Sequence, residues 1–429
     1  MKKRKKELLI PASSLEVLKC ACVFGADAVY IGGDVFSLRA KAKNFSADEM
    51  REGIEFAHAR GVKVYVTVNV FAHNEDIEAA KDYLKSLNDM RPDALIISDP
   101  GIFDLAREYC AGIDIHISTQ SNNTNYGTYN FWYRMGATRV VSARELSLEE
   151  LNGIREKIPD EMEIETFIHG AMCISYSGRC LLSNFFTGRD ANRGACTHPC
   201  RWKYAVVEEQ RPGQYLPVEE DENGTYIFNS KDLCMIEHIP SLMESGIDSF
   251  KVEGRMKTAL YVATVARTYK KAMNDYLESP DKYAANMEWY KKEITSCTHR
   301  RYTTGFFFGK PDEEAQIYDS STYIKGYTYL GYVERVAGSG MADDAGFVPP
   351  VGAVMITQKN KFSVGEKLEI MKPDGNDVTA TVMAIYSTEG EERTSAPHSK
   401  EKLYVVLSAE AEEFDILRRC DEEGPAEQI

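Results

Sequence analysis

Eight short apolar runs, each followed by a helical pattern, limit what this chain can fold into more than any other feature. "ELLIPA" (7–12), "AVYIGG" (28–33), "KVYVTVN" (63–69) and "ALIISD" (94–99) are followed by "DIHIST" (114–119), "RVVSA" (139–143), "IETFIHG" (164–170) and "SFKVEGR" (249–255). Runs that are apolar on consecutive rather than alternate residues suit a parallel sheet covered on both faces. The segments between them read as helices: "SADEMREGIEFAHARG" and "SLEELNGIREKI" open on an N-cap serine and space apolar residues at helical intervals. Eight such units fit a (β/α)8 TIM-like barrel. A doubly wound open sheet is the other solution, because counting strands does not establish closure.

In a barrel the chemistry sits at the C-terminal face, among the loops that follow the strands. The strand spacing breaks once, between the seventh and eighth runs, which lie about 80 residues apart. That gap predicts an insertion, residues 171–232, placed over the barrel mouth, with β-like runs "KYAVVEEQ" and "TYIFNS" and the helix "MIEHIPSLMESG" close behind. The barrel is expected to occupy 1–325. From 326 to 418 short strands alternate with Gly and Asp turns and predict a small β-barrel, and 419–429 form an acidic tail.

At 429 residues the chain holds two or three domains, or one large barrel with an appendage. No run of about 20 apolar residues is present, so a membrane span is not expected. The opening "MKKRKKELLIPASS" follows its basic run with only "LLIPA", too short for the apolar core of a signal peptide, so the expected location is the cytoplasm. Ten cysteines in a reducing compartment read as metal ligands, catalytic thiols or core fillers rather than disulfides. A net charge of −15 opposes non-specific binding to nucleic acid, so any RNA contact needs a local basic patch.

Five of the ten, Cys173, Cys180, Cys196, Cys200 and Cys234, fall within 62 residues, whereas Cys20, Cys22 and Cys110 lie in helical patterns as small core residues. The gaps of 6, 15, 3 and 33 residues contain no CxxC pair and do not match a zinc ribbon. An iron–sulfur cluster can collect thiolates from separate loops, whereas a catalytic thiol would use a base such as His169. Spacing alone leaves both open, and a structural zinc beside them. Between Glu165 and Tyr204 five basic residues (Arg179, Arg189, Arg193, Arg201, Lys203) face two acidic ones, beside Phe185, Trp202 and Tyr204. Arg193 and Arg201 with these aromatics form the candidate RNA patch, and the C-terminal β-barrel is the alternative.

Glu165, His169 and Glu253 are assigned to the C-terminal ends of the last two strands, as candidate catalytic groups or as members of local ion pairs. Arg255 and Lys257 follow the eighth strand and open a helix, a setting suited to an anion. Gln120 and Asn122 lie in "STQSNNTN" (118–125), which either positions substrate or caps the next helix, and Arg39 and Asn44 follow the second strand.

"ETFIHGAMCISYSGRCLLS" resembles, position for position, the signature of the collagenase-like peptidase family U32. Further matches, "GADAVYIGG", "NRGACTHPCRWKY", "NSKDLC", "KVEGRMKT" and "TTGFFFGKP", extend the resemblance over nearly the whole chain. The family is named for proteolysis, yet its better-understood branches hydroxylate tRNA wobble uridine with prephenate, 23S rRNA cytidine, or ubiquinone, and carry a 4Fe-4S cluster. Length, "KDLC", "EGRMK" and the C-terminal β-domain make this chain look most like the tRNA branch. The resemblance implies Cys173, Cys180 and Cys196 as cluster ligands, with Cys234 favoured over Cys200 for the fourth place. It also implies prephenate as co-substrate, with Arg255 a candidate for its carboxylates, tRNA as partner, and a paralogous family member as a further one. Peptidase activity and another RNA substrate are the alternatives.

Overall fold

Eight parallel strands close on themselves, so the open-sheet alternative falls. β1 (Glu7–Pro11), β2 (Ala28–Gly32), β3 (Lys63–Val68), β4 (Ala94–Ile97), β5 (Asp114–Ile117), β6 (Arg139–Val141) and β7 (Glu163–Ala171) pair in sequence, and β8 (Ser249–Val252) pairs with both β7 and β1. The computed structural model describes residues 5–37, 44–172, 180, 182–189, 191–193, 195–197, 199, 219–221, 224–226, 231–309, 324–340, 342 and 346–421.

Helices α1 (Leu15–Val23), α2 (Ala47–His58), α3 (Ile77–Met90), α4 (Pro100–Tyr109), α5 (Tyr126–Met135) and α6 (Leu148–Arg155) follow the first six strands. Ser46 and Ser147 form capping boxes with Glu49 and Glu150, which satisfies the first free N–H groups of α2 and α6. Within the insertion lies α7 (Leu182–Thr187), and α8 (Ile239–Glu244) precedes β8. After β8 comes the long α9 (Ala259–Glu278), fourteen of whose residues are buried, because it packs against the barrel on one side and the C-terminal domain on another.

At the N-terminal end of the barrel, aspartates preceding three strands accept hydrogen bonds from the neighbouring strand: Asp27 from Leu8 N at 2.9 Å, Asp93 from Val64 N at 2.8 Å and Asp248 from Ile164 N at 2.8 Å. Inside, β1–β4 contribute an apolar cluster of Leu9, Ala28, Tyr30, Tyr65, Ala94 and Ile96. From β5–β8 come His116, Arg139, Glu165 and Lys251, all buried. Arg139 Nη1 donates to Glu7 Oε1 at 2.6 Å and to Glu165 Oε2 at 3.0 Å, while Lys251 Nζ donates to Glu165 Oε1 at 2.6 Å and lies 4.4 Å from the Tyr30 ring centroid. Tyr65 and Ser249 hydroxyls complete the shell of Glu7 at 2.7 and 2.8 Å.

Beyond residue 326 the strands are antiparallel. Lys367–Met371, Ile416–Cys420, Tyr327–Val336, Val354–Thr357, Lys402–Leu407 and Val378–Ser387 pair in that order, and the last pairs back with the first to close a small barrel. It docks through ion pairs as well as apolar contact: Arg267 of α9 meets Asp377 at 2.6 Å, Arg418 meets Glu293 at 2.8 Å, and Tyr329 Oη donates to Glu16 of α1 at 2.6 Å. Among the described residues no helix is long and apolar enough to cross a membrane.

The interior charges make a clear stability prediction. Removing one member of a buried ionic set leaves its partners uncompensated, so Arg139→Met should lower unfolding stability by about 3–5 kcal/mol. Arg51→Ala, in a solvent-exposed pair with Asp48, should cost less than about 1 kcal/mol. Urea unfolding of both variants checks this, and equal losses would show that the barrel interior does not depend on the network.

Candidate functional site

Where β7 meets β8 the register slips: Lys251 pairs with Phe167 but Val252 pairs with His169, so Ile168 is an extra residue. Strict alternation would place Glu165, Phe167 and His169 on one face, and the bulge moves His169 to the other. Phe167 stays inside, 3.9 Å from the Arg144 guanidinium and 5.5 Å from Lys251. His169 turns outward into the wall between β7 and α9, with Tyr261, Tyr269 and Tyr302 ring centroids at 6.0, 5.5 and 5.6 Å.

Two sequence assignments change as a result. Glu165 is the third residue of a nine-residue strand, opposite Ser249 at the start of β8, and lies in the ionic network at the N-terminal half of the barrel. It was expected at the C-terminal end; the pair of glutamates Glu163 and Glu165 instead serves Arg139. His169 is near the C-terminal end but does not face the mouth. Glu253 does follow β8 at that end, where its Oε2 accepts from Arg144 Nη2 at 3.0 Å.

A short strand missed in the sequence, Asp232–Cys234, returns from the insertion and pairs antiparallel with β7, joining Asp232 to Ala171 and Cys234 to His169. "KDLC" is too short and too charged to register as a strand. Asp232 forms a buried pair with Arg300, Nη2 to Oδ1 at 2.7 Å and Nε to Oδ1 at 3.0 Å. Burial alone would raise the Asp232 carboxyl, but the charge and hydrogen bonds of Arg300 hold it below the usual range. Beside it His299 stacks on Tyr302 with centroids 4.4 Å apart. Cys234 Sγ lies 3.7 Å from Tyr269 Oη, and burial pushes its thiol up to about 12.

Cys180 and Cys196 are half-buried and, like Cys234, free of disulfides. Their segments are knit together: Asn192 Nδ2 donates to Cys180 O at 3.2 Å, Thr197 N to Ser183 Oγ at 3.1 Å, and the Ser183 and Thr197 hydroxyls meet at 3.0 Å. The insertion touches the barrel mouth where Phe71 N, after β3, donates to Asn192 O at 3.4 Å. Among the described residues no three of His, Cys, Asp and Glu gather at one point. Cys173, Cys200, Arg39, Arg201 and the side chain of Arg193 lie outside the described residues. The described donors are thiols, which suit an iron–sulfur centre better than an oxygen-seeking ion.

At the mouth Arg255 Nη1 donates to Thr67 Oγ1 at 3.3 Å and Nη2 to Asn44 Oδ1 at 3.4 Å, so its side chain reaches across to the ends of β2 and β3. Lys257 Nζ donates instead to Thr298 O at 3.2 Å and lies 4.8 Å from the Tyr261 ring, which sets it toward the wall. Gln120 and Asn122 follow β5, and Asn122 holds a left-handed backbone (φ 52°). Sequence reading passed over Arg144 and Asn69, although Asn69 closes the third apolar run and Arg144 immediately follows the sixth.

Known proteins match this arrangement over both parts of the chain. A family model described as Peptidase family U32 matches residues 13–317, and one described as Peptidase family U32 C-terminal domain matches 345–418. "tRNA hydroxylation protein P1" of Bacillus subtilis is 38% identical, covering 97% of this chain and 95% of that protein. "tRNA hydroxylation protein P" of Escherichia coli is 39% identical over 92% of each. The Escherichia coli "23S rRNA 5-hydroxycytidine C2501 synthase" is 34% identical over 74% of this chain and 47% of its own.

Burial pushes the His169 imidazole down to about 3 from an ordinary 6.5. Below pH 6.5 the unfolded chain therefore binds a proton that the folded chain refuses, and stability falls as pH falls, by up to about 1.4 kcal/mol per unit. His116 and His299 are depressed in the same direction. Comparing urea unfolding of the wild type and His169→Gln from pH 7 to 4.5 isolates the contribution of His169. The variant should show the shallower pH dependence, and parallel curves would contradict a neutral, buried ring.

Proposed function

The chain belongs to peptidase family U32, and on that premise we propose that it hydroxylates RNA, replacing the C5 hydrogen of the tRNA wobble uridine by a hydroxyl group with prephenate as co-substrate. The observation that carries this reading is the likeness to two tRNA hydroxylation proteins over nearly their whole length, barrel and C-terminal strands alike. A polar barrel mouth beneath a thiol-bearing insertion is the setting such chemistry needs.

Cys173, Cys180, Cys196 and Cys234 are the proposed ligands of a 4Fe-4S cluster, with Cys200 the alternative to Cys234. The cluster would supply one-electron redox capacity next to the mouth. In support, Cys180, Cys196 and Cys234 are not joined in disulfides, and Cys234 lies on a strand paired with β7, the strand that leads toward Cys173. Arg255, whose guanidinium reaches across the mouth, is the candidate for a prephenate carboxylate, and Arg193 and Arg201 for the RNA backbone. The same reading places the protein in the cytoplasm with tRNA, and with a paralogous family member as a candidate partner.

Two measurements test it. Protein purified without oxygen should carry about four iron and four sulfide per chain. Cys196→Ala should lose them and Cys20→Ala keep them. Retention in Cys234→Ala with loss in Cys200→Ala would assign the fourth ligand to Cys200. In a strain deleted for this gene and any paralogue, tRNA should lack 5-hydroxyuridine derivatives, restored by wild type but not by Cys196→Ala. Unchanged nucleosides would reject the modification, and gelatin hydrolysis surviving Cys196→Ala would favour a peptidase.

A further inference from the structure

Four polar side-chain atoms at the barrel mouth are buried and make no hydrogen bond among the described residues: Asn69 Oδ1, Gln120 Oε1 and both Oδ1 and Nδ2 of Asn122. A fifth is Arg144 Nε, whose Nη1 and Nη2 are spent on Ala171 O and Glu253 at 3.0 Å each. Buried polar atoms are nearly always paired, so a group of them after the ends of β3, β5 and β6 points to a missing partner. The supporting loop is rigid. Ser121 Oγ donates to Ser98 O and Ser98 Oγ to Asn69 O, both at 2.9 Å. Asn123 Nδ2 donates to Ser118 O and Val141 O, both at 3.0 Å. A non-glycine residue held in the left-handed region, as Asn122 is, marks backbone strain of the kind kept at binding sites.

The chemistry of these atoms selects the ligand. Three are oxygens, which repel an anion and accept from N–H groups, while Asn122 Nδ2 and Arg144 Nε are donors. An imide edge, carbonyl, N–H, carbonyl, complements one side-chain amide and one further donor: Asn122 Oδ1 accepts from the N–H while Asn122 Nδ2 and Arg144 Nε donate to the carbonyls, and uracil carries O2, N3–H and O4 in that order. We propose that the barrel mouth is a base pocket in which Asn122 and Arg144 read the imide edge of a uracil ring turned out of its RNA, with the Asn69 and Gln120 oxygens accepting from ribose or water hydroxyls.

This rests on the RNA-hydroxylation reading and specifies how the base is held. Enzymes that act on a base take it out of the stack and read its pairing edge, and proteins read RNA sequence chiefly in single-stranded loops. With its imide edge held by the strand ends, the C5–C6 edge of the ring points away from them. That direction leads to the insertion, which reaches the mouth at Phe71 and Asn192 and whose Cys180 carbonyl is bonded to Asn192.

The test uses the cluster-containing full chain and fluorescent anticodon stem–loops with uridine, 3-methyluridine or an abasic site at the wobble position. Methylation at N3 removes the proton that Asn122 Oδ1 accepts. Wild type should bind the uridine loop roughly tenfold more tightly than either of the others, the size expected for one base-edge pair. Gln120→Ala combined with Asn122→Gly should erase that preference and leave affinity for the abasic loop within about twofold. Equal wild-type affinity for uridine and 3-methyluridine overturns the pocket without recourse to any variant. It is also overturned if the double variant keeps the preference, or if it keeps RNA binding but weakens prephenate binding by calorimetry, which would assign the mouth to the acid. If no stem–loop binds better than an unrelated hairpin of equal length, the RNA reading itself fails.

Discussion

A guanidinium inside a barrel sets the terms for everything above it. Arg139 is held by Glu163 and Glu165 of the adjoining β7 and by Glu7 of β1 across the barrel, and Lys251 neutralises the far oxygen of Glu165. Burying such charges is costly unless each is paired, and here carboxylates, hydroxyls and aromatic faces surround both cations. Burial would raise the Glu7 carboxyl, but Arg139 holds it below its ordinary value. The N-terminal half of the interior is thereby filled and fixed, which leaves the polar C-terminal half as the place where a ligand can enter.

The single extra residue at Ile168 divides two environments. Below it, alternate residues of β7 face the interior network. Above it, His169 enters an aromatic wall with Cys234 and the Asp232–Arg300 pair, while Glu253 and Arg144 remain at the mouth. One inserted residue is enough, because side chains along a strand alternate with a period of two. The wall then joins the thiol of Cys234 to α9 through Tyr269, and α9 joins the C-terminal barrel through Arg267.

The fold was legible because burial on both faces of a parallel strand leaves a plain mark: uninterrupted apolar runs at regular intervals, capped helices between. Closure was not legible, since it depends on β8 finding β7 rather than on any local pattern. At the site, residue identity was more legible than position. Glu253, Arg255, Gln120 and Asn122 lie at the mouth where loop position put them. Glu165 and His169 do not, because strand register and a bulge are decided by pairing partners far away in sequence. Asp232 and Arg300 were invisible for the same reason: their meaning lies in a contact across 68 residues.

The pairing of Ala171 with Asp232 has a consequence for descent. The chain leaves and re-enters the barrel wall at adjacent positions, so residues 172–231 form a pendant whose two ends meet at that pair, and it touches the barrel again where Asn192 meets Phe71. Lengthening or shortening a loop whose ends already touch costs little in chain entropy. Change within that pendant therefore need not reach the strands beneath. A lineage can exchange the cap and keep the bowl, acquiring new substrates without having to reinvent the fold that holds them.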